Sequence, residues 1–148
     1  EIGGMLAYAG SHTGDKVGVV IFSGQVERII PPKKGKQHVL RVIRDLLTFQ
    51  SEAKGTDLAG ALEATQRMMK HKGIVFVISD FMASGYEVAL KRLAKKHDVV
   101  AVMLSDQREA DVPTLGHILF YDPETGEENL VDTSSYSFKK WLAGYRAE

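Results

Sequence analysis

A hydroxyl and a carboxylate occupy two positions of this chain where α/β proteins commonly bind ligands. Thr56 lies directly before a predicted helix, in the segment 55–58 (Gly-Thr-Asp-Leu). Asp80 lies directly after a predicted strand, in the segment 78–81 (Ile-Ser-Asp-Phe). Oxygen ligands of these two types suit a hard divalent cation such as Mg²⁺. The pair predicts a cation site if the fold brings both side chains to one edge.

The elements between Thr56 and Asp80 favour that arrangement. A helix from Asp57 to about His71 falls roughly 22 Å at about 1.5 Å per residue. A strand at Ile74–Ser79 climbs back roughly 20 Å at about 3.3 Å per residue. Because the two lengths nearly cancel, both side chains return to the edge outside the carboxyl ends of the strands, where open α/β sheets bind ligands.

Each of the two residues also has an ordinary structural interpretation. Threonine is a frequent N-cap, so Thr56 is also explained as the cap of the following helix. Asp80 is equally well explained as a cap or turn residue before the helix near Gly85. Spacing alone leaves both interpretations open.

Strands alternate with helices along the chain, which predicts a layered α/β sheet covered on both faces. Five consecutive apolar residues at 74–78 predict a central parallel strand. The short connection after residue 22 predicts an antiparallel hairpin of the first two strands, and Pro31 and Pro32 are expected to end the second of them. Proline and glycine within 122–127 predict another hairpin between the last two strands. The predicted strands are 17–22, 26–30, 74–79, 99–104, 118–121 and 129–132, and the predicted helices are 37–49, 57–71, 86–96 and 136–145.

Composition narrows the class of protein. A length of 148 residues predicts one domain. Equal numbers of basic and acidic residues, 19 each, do not indicate nucleic acid or an anionic membrane as a partner. The absence of cysteine excludes disulfides and thiolate chemistry. No apolar run approaches the roughly 18 residues of a membrane span. A cytoplasmic location is expected, with membrane association through regions outside this chain as the open alternative. The chain begins at Glu1 with what resembles the tail of a helix, which predicts a fragment.

The chain resembles the von Willebrand factor A-type domain of the bacterial DUF58 proteins over nearly its whole length. The resemblance implies a three-layer α/β/α Rossmann-like fold. Its sheet would be mostly parallel with an antiparallel edge strand, and residues 1–148 would form a single truncated domain. Six segments carry the resemblance in order: 14–22 (GDKVGVVIF), 30–35 (IPPKKG), 55–58 (GTDL), 77–81 (VISDF), 97–102 (HDVVAV) and 122–126 (DPETG).

The resemblance also implies a metal-ion-dependent adhesion site built from three loops. Thr56 matches the threonine of the second loop, and Asp80 matches the aspartate of the third. The Asp-x-Ser-x-Ser motif of the first loop does not occur in the chain. With at most two of five protein ligands, this chain is expected to bind Mg²⁺ weakly or not at all, whereas an intact protein would hold it. Apart from the resemblance, Asp106 in the loop after the 99–104 strand is expected near the same edge as Asp80, as a group that supports the ligands and not as a ligand itself.

The strand that carries the first motif in the family lies between the strands that resemble Val17–Phe22 and Ile74–Ile78. Without it, backbone groups of both neighbours lose their hydrogen-bond partners, which is costly if they are buried. Three outcomes are expected as alternatives. The two strands pair directly, another chain fills the gap in a strand-exchanged oligomer, or a segment before Glu1 fills it.

The function implied by the resemblance is that of a non-enzymatic protein–protein interaction module. An acidic side chain of the partner would complete the metal coordination, and the family's frequent companion, a MoxR-type AAA+ ATPase, is the expected partner. The alternative from another class is a Mg²⁺-dependent phosphotransferase or hydrolase that uses Asp80. The haloacid dehalogenase pattern requires a second aspartate where Met82 stands. A third alternative is a structural domain with a vestigial site.

Overall fold

The computed structural model describes residues 1–51, 53–105, 116–121, 128–138 and 140. They show the mixed α/β composition predicted from the sequence, arranged in two compact units, Glu1–Met103 and Leu104–Glu148. Whether 1–148 is a single domain stays a prediction. The helices are Ile2–His12 (α1), Lys36–Thr48 (α2), Leu58–Met68 (α3) and Glu87–Ala94 (α4). The strands are Val17–Phe22 (β1), Val26–Lys33 (β2), Ile74–Ser79 (β3), Asp98–Met103 (β4), His117–Tyr121 (β5) and Glu128–Asp132 (β6).

The first unit begins with the predicted antiparallel hairpin of β1 and β2, but β2 continues past its two prolines. Val19 pairs with Ile30, and Val17 pairs with Lys33, so β2 carries one extra residue between these pairs. The expectation that Pro31-Pro32 ends the strand is therefore wrong. The physical reason is that a bulge leaves a residue outside the regular ladder, and proline, which has no N–H, is tolerated there.

β3 and β4 form a parallel pair, in register from Ile74 with Asp98 to Ser79 with Met103. The first unit's larger core lies on one face of this pair, where β3 meets α3 and α4. Its buried members are Leu58, Leu62, Val75, Val77, Ala89 and Leu93.

The predicted cover on both faces of the sheet is incomplete at β3 among the described residues. Val75 and Val77 face the core, whereas Ile74 is 62% exposed and Phe76 is 42% exposed. The cause is that α3 and α4 pack on the same side of the strand. A run of apolar residues does not by itself reveal how many faces are covered.

A second core joins α1 and α2 to the β1–β2 hairpin. Its buried side chains are Ala7, Ile30, Val39 and Val42. α1 also reaches towards β3, because a Cβ atom placed on Gly3 would lie 3.5 Å from Leu46 Cδ1 of α2 and 3.8 Å from Ile78 Cδ1 of β3. None of the helices in the described part of the chain is long and apolar enough to cross a membrane.

The β1–β2 and β3–β4 pairs are separate two-stranded sheets. Within the described ranges, β1 is hydrogen-bonded to β2 alone and β3 to β4 alone. Direct pairing of β1 with β3, one of the three expected outcomes, is therefore wrong. The other two, a strand from another chain or from a preceding segment, stay predictions. Phe22 at the end of β1 nevertheless packs against the core that contains Val75 and Val77.

The second unit contains the predicted hairpin of β5 and β6. Their antiparallel register runs from His117 with Asp132 to Tyr121 with Glu128. Thr133 closes the open end of the hairpin, since its backbone N–H and its hydroxyl both donate to the carbonyl of Gly116, at 2.9 and 2.8 Å. Residues 136–138 are helical. Asp106 and the segment 122–126 lie outside the described residues.

Candidate functional site

Asp57, rather than Thr56, caps α3. The Asp57 carboxylate accepts a hydrogen bond from the backbone N–H of Gly60 at 2.9 Å, and the helix begins at Leu58. A Cβ atom on Gly60 would lie 2.2 Å from Asp57 Oδ2, so glycine makes room for the cap. An N-cap side chain satisfies one of the first free N–H groups of a helix. The interpretation of Thr56 as the N-cap is therefore wrong, and Thr56 is half-buried in the loop that precedes the cap.

A second contact fixes this loop against the end of β1. The backbone N–H of Asp57 donates to the carbonyl of Ser23 at 2.6 Å. The neighbouring Gly24 lies so close to Lys54 that an added Cβ atom would be 2.0 Å from the Lys54 carbonyl oxygen. Only a residue without a side chain permits this approach. Residues 23–24 and 54–57 thus form one packed surface, which we call the rim.

Asp80 lies in a tight turn, residues 80–82, at the end of β3. Asp80 Oδ1 accepts hydrogen bonds from the backbone N–H of Met82 at 3.1 Å and from the Ser79 hydroxyl at 3.3 Å. The Ser79 hydroxyl in turn accepts from the backbone N–H of Phe81 at 3.2 Å. An aspartate that bonds the backbone two residues on stabilises a turn. Asp80 therefore serves the turn, and it is exposed to solvent as well.

Phe81 stores backbone strain in this turn. Its φ of 59° is the one positive φ of a non-glycine residue among those described. Such a conformation costs on the order of 1–3 kcal/mol and persists where the surroundings impose it. Here the Phe81 side chain packs against the larger core, with its ring centroid 6.0 Å from that of Tyr86. The sequence gives no local signal for a left-handed phenylalanine, so this feature was not predicted.

The loop that contains Thr56 and the turn that contains Asp80 meet the same hydrophobic core. Leu58, two residues after Thr56, is 1% exposed and belongs to the cluster of Val75 and Val77. Phe81, directly after Asp80, packs against that cluster. This shared core supports the predicted return of both segments to one end of the unit. That the Thr56 hydroxyl and the Asp80 carboxylate bind one ligand stays a prediction.

The donors at this end do not fit a complete Mg²⁺ site. Mg²⁺ requires nearly octahedral oxygen coordination, whereas Thr56 and Asp80 supply two side-chain oxygen groups. One oxygen of Asp80 already accepts two hydrogen bonds within the turn. No group of three or more histidine, aspartate or glutamate residues that could hold a metal occurs in the parts of the chain that the structure covers. Further ligands would be needed from elsewhere.

A charge cluster that the sequence analysis missed surrounds Asp45 on α2. Its carboxylate lies 2.9 Å from Arg44 Nη2, 3.1 Å from Arg28 Nη1 and 3.9 Å from Arg41 Nε. The hydrogen bond from Arg44, together with the charges of all three arginines, holds the pKa of Asp45 below its ordinary value although burial opposes this. Helical spacing in the sequence could have revealed that Asp45 is buried, because it continues the stripe of Val39 and Val42 on α2. Asp45 is 4% exposed.

A cavity of about 310 Å³ opens beside Arg28. The Arg28 guanidinium lies 5.9 Å from the centre of the Phe49 ring, and both residues line the cavity. The adjacent Glu27 accepts hydrogen bonds from the hydroxyls of Ser23 and Ser51. Because Ser23 belongs to the rim, the arginine cluster and the rim lie at neighbouring positions of the first unit.

The family model for "Protein of unknown function DUF58" matches residues 1–147. Uncharacterized proteins of Mycobacterium tuberculosis and Mycobacterium bovis are each 27% identical over 149 residues, covering 97% of this chain and 47% of their own length. The chain thus spans about half the length of these relatives. An uncharacterized protein of Mycobacterium avium is 29% identical over 125 residues, covering 80% of this chain and 74% of its own length. No solved structure matches the chain. The chain belongs to the DUF58 family.

Proposed function

We propose that this chain is a non-enzymatic interaction module that binds a partner protein at the rim and the Asp80 turn. One observation carries the proposal: an exposed carboxylate is held on a strained turn whose backbone is fixed by the hydrogen bonds of Ser79 and Asp80. A surface that is ordered before binding loses little conformational entropy when a partner docks. Strain of this kind is also commonest at functional sites.

The partner is proposed from the resemblance to von Willebrand factor A-type domains. It is a MoxR-type AAA+ ATPase, which would present a backbone N–H group or a basic side chain to Asp80. Charge-assisted hydrogen bonds of this type are roughly twice as strong as neutral ones. Mg²⁺ enters the proposal only for an intact protein, in which Thr56 and Asp80 would be two of its ligands and further donors would join them. The three-layer fold around a full sheet belongs to the same proposal.

The surroundings of Asp80 favour binding over catalysis. A nucleophilic aspartate needs an acid or base within hydrogen-bond reach. In the described part of the chain, the Asp80 carboxylate is hydrogen-bonded to the Ser79 hydroxyl and the Met82 N–H, and neither is a general base. We therefore propose that the chain is not a phosphotransferase or hydrolase.

Binding to an immobilised MoxR-type AAA+ ATPase from the same organism tests the proposal, with affinity measured by biolayer interferometry. Asp80→Asn removes the charge and nearly keeps the shape, so the affinity is expected to fall about tenfold, as for one lost charged hydrogen bond. Asp98→Asn is the matched control, because Asp98 begins β4 at the opposite end from Asp80 and is also exposed. Equal affinities of the wild type and Asp80→Asn would contradict the proposal.

A phosphatase assay with p-nitrophenyl phosphate and Mg²⁺ tests the enzymatic alternative separately. The expected result is no turnover above that of Asp80→Ala. Turnover that disappears in Asp80→Ala would refute the non-enzymatic function even if the ATPase also binds.

A further inference from the structure

The segment 26–48, which forms β2 and α2, concentrates positive charge. It holds six lysine and arginine residues against two acidic ones, a net charge of +4 in a chain whose net charge is zero. Half of these cations are the three arginines around Asp45. Because one carboxylate compensates one positive charge, the cluster of Arg28, Arg41, Arg44 and Asp45 carries an excess of about two charges at neutral pH.

The side chains of the three arginines contact Asp45 and are accessible to solvent as well. Their exposed fractions are 47% for Arg28, 66% for Arg41 and 68% for Arg44. Asp45 occupies Nε and Nη2 of Arg44 and one Nη of Arg28. A guanidinium group has five N–H donors in a fixed fork, so each arginine retains donors that Asp45 does not occupy.

We propose that the exposed guanidinium groups of Arg28, Arg41 and Arg44 bind an acidic segment of a partner protein. Arginine forks recognise carboxylates through paired hydrogen bonds, and here they are held in position before binding. The Phe49 ring beneath the Arg28 guanidinium adds an apolar contact next to the charges, and both residues line the adjoining cavity of about 310 Å³. The proposal does not depend on Thr56 or Asp80.

The arrangement of charges favours a carboxylate-rich peptide over a nucleic acid. A nucleic acid strand presents one phosphate about every 3.4 Å and requires an extended track of cations. The three arginines instead converge on one carboxylate.

Asp45 is a positioning residue in this site. Its substitution distinguishes binding by positioned arginines from binding by net positive charge alone. Asp45→Asn raises the net charge by one unit, and attraction by charge alone would then strengthen binding of an anion. If the carboxylate instead holds the three forks in place, the same change weakens binding. The sign of the effect separates the two explanations.

The probe is a fluorescein-labelled deca-glutamate peptide, titrated with the 148-residue chain at low ionic strength and followed by fluorescence anisotropy. Arg41→Gln is the main variant, because Arg41 makes the longest contact with Asp45 and its loss disturbs the fold least. Arg92→Gln is the matched control, since it removes one arginine charge from α4, outside the cluster. Thermal unfolding of each variant verifies that it is folded at the assay temperature.

Arg41→Gln is expected to weaken binding about tenfold, and Asp45→Asn is expected to weaken it as well. Arg92→Gln should change it less than about twofold, as for a charge outside the contact. Equal losses in Arg41→Gln and Arg92→Gln, tighter binding by Asp45→Asn, or no binding by the wild type would each overturn the proposal. Tighter binding of a labelled ten-nucleotide single-stranded DNA with the same dependence on Arg41 would overturn it in favour of nucleic acid.

Discussion

Replacing Asp57 with alanine tests how the loop around Thr56 is built. The Asp57 carboxylate satisfies the N–H of Gly60 at 2.9 Å, and alanine leaves that donor without its side-chain partner. The backbone N–H of Asp57, which bonds Ser23, is kept in every variant at this position. Asp57→Ala therefore removes the cap without removing the contact between the loop and the end of β1.

Loss of an aspartate N-cap typically lowers the free energy of unfolding by about 1 kcal/mol. For a chain of this size, that corresponds to a fall of roughly 2–4 °C in the thermal midpoint, measured by circular dichroism. If the helix start opens locally, a loss of about 1 kcal/mol raises the population of the open state about fivefold. The Gly60 amide should then exchange its hydrogen about fivefold faster. Hydrogen–deuterium exchange measured by NMR gives that rate directly.

Asp57→Ser is the matched control, because serine caps helices about as well as aspartate. It should restore the midpoint and the exchange rate to within a few tenths of a kcal/mol of the wild type. If Asp57→Ala changes neither quantity, the capping assignment fails, and Thr56 would have to be reconsidered as the cap.

Leu93→Ala should lower the free energy of unfolding by about 2–5 kcal/mol, since Leu93 is fully buried in the larger core, and urea unfolding measures this. Gly24→Ala should lower the free energy of unfolding by about 1–3 kcal/mol in the same measurement, because its Cβ atom would overlap the Lys54 carbonyl of the rim. Gly14→Ala is the control, since a Cβ atom on Gly14 meets no neighbour and the change reports only the cost of a positive φ. The pKa of Asp45 is lower in the folded protein than its ordinary value of 3.8, so its stabilising contribution is complete above that pH and is lost as the pH falls through the folded pKa. Asp45→Asn should therefore flatten the loss of stability below about pH 4 in acid titrations followed by fluorescence, and an unchanged acid limb would contradict the assignment.

Local signals in the sequence were sufficient for the pairing of neighbouring strands. Short connections predicted the β1–β2 and β5–β6 hairpins, and the apolar run at 74–78 predicted that β3 is a parallel strand, as its pairing with β4 shows. The path of β2 through Pro31-Pro32 was missed, because a bulge depends on the register with β1 and not on the prolines alone. The exposure of Ile74 and Phe76 was missed for a similar reason, since coverage of a face is set by distant elements.

In the candidate site, too, features set by neighbouring residues were predictable from the sequence, and contacts between distant residues were not. Sequence spacing indicated the ends of elements where Thr56 and Asp80 lie, but the choice between Thr56 and Asp57 as the cap depends on side-chain geometry. The arginine cluster joins Arg28 of β2 to Asp45 of α2, seventeen positions later in the chain. No periodicity within either element reveals such a contact.

The central claim is that Thr56 and Asp80 lie at one end of the first unit, and a cross-linking experiment tests it most directly. The chain has no cysteine, so Thr56→Cys/Asp80→Cys introduces its only two thiols. The shortest bis-maleimide should join them within one chain, seen as a faster band in denaturing electrophoresis. Thr56→Cys/Asp98→Cys is the control, because Asp98 pairs with the first residue of β3, roughly 20 Å from its end. Cross-linking of the Asp80 pair and not of the Asp98 pair is the expected result, and the reverse would contradict the account.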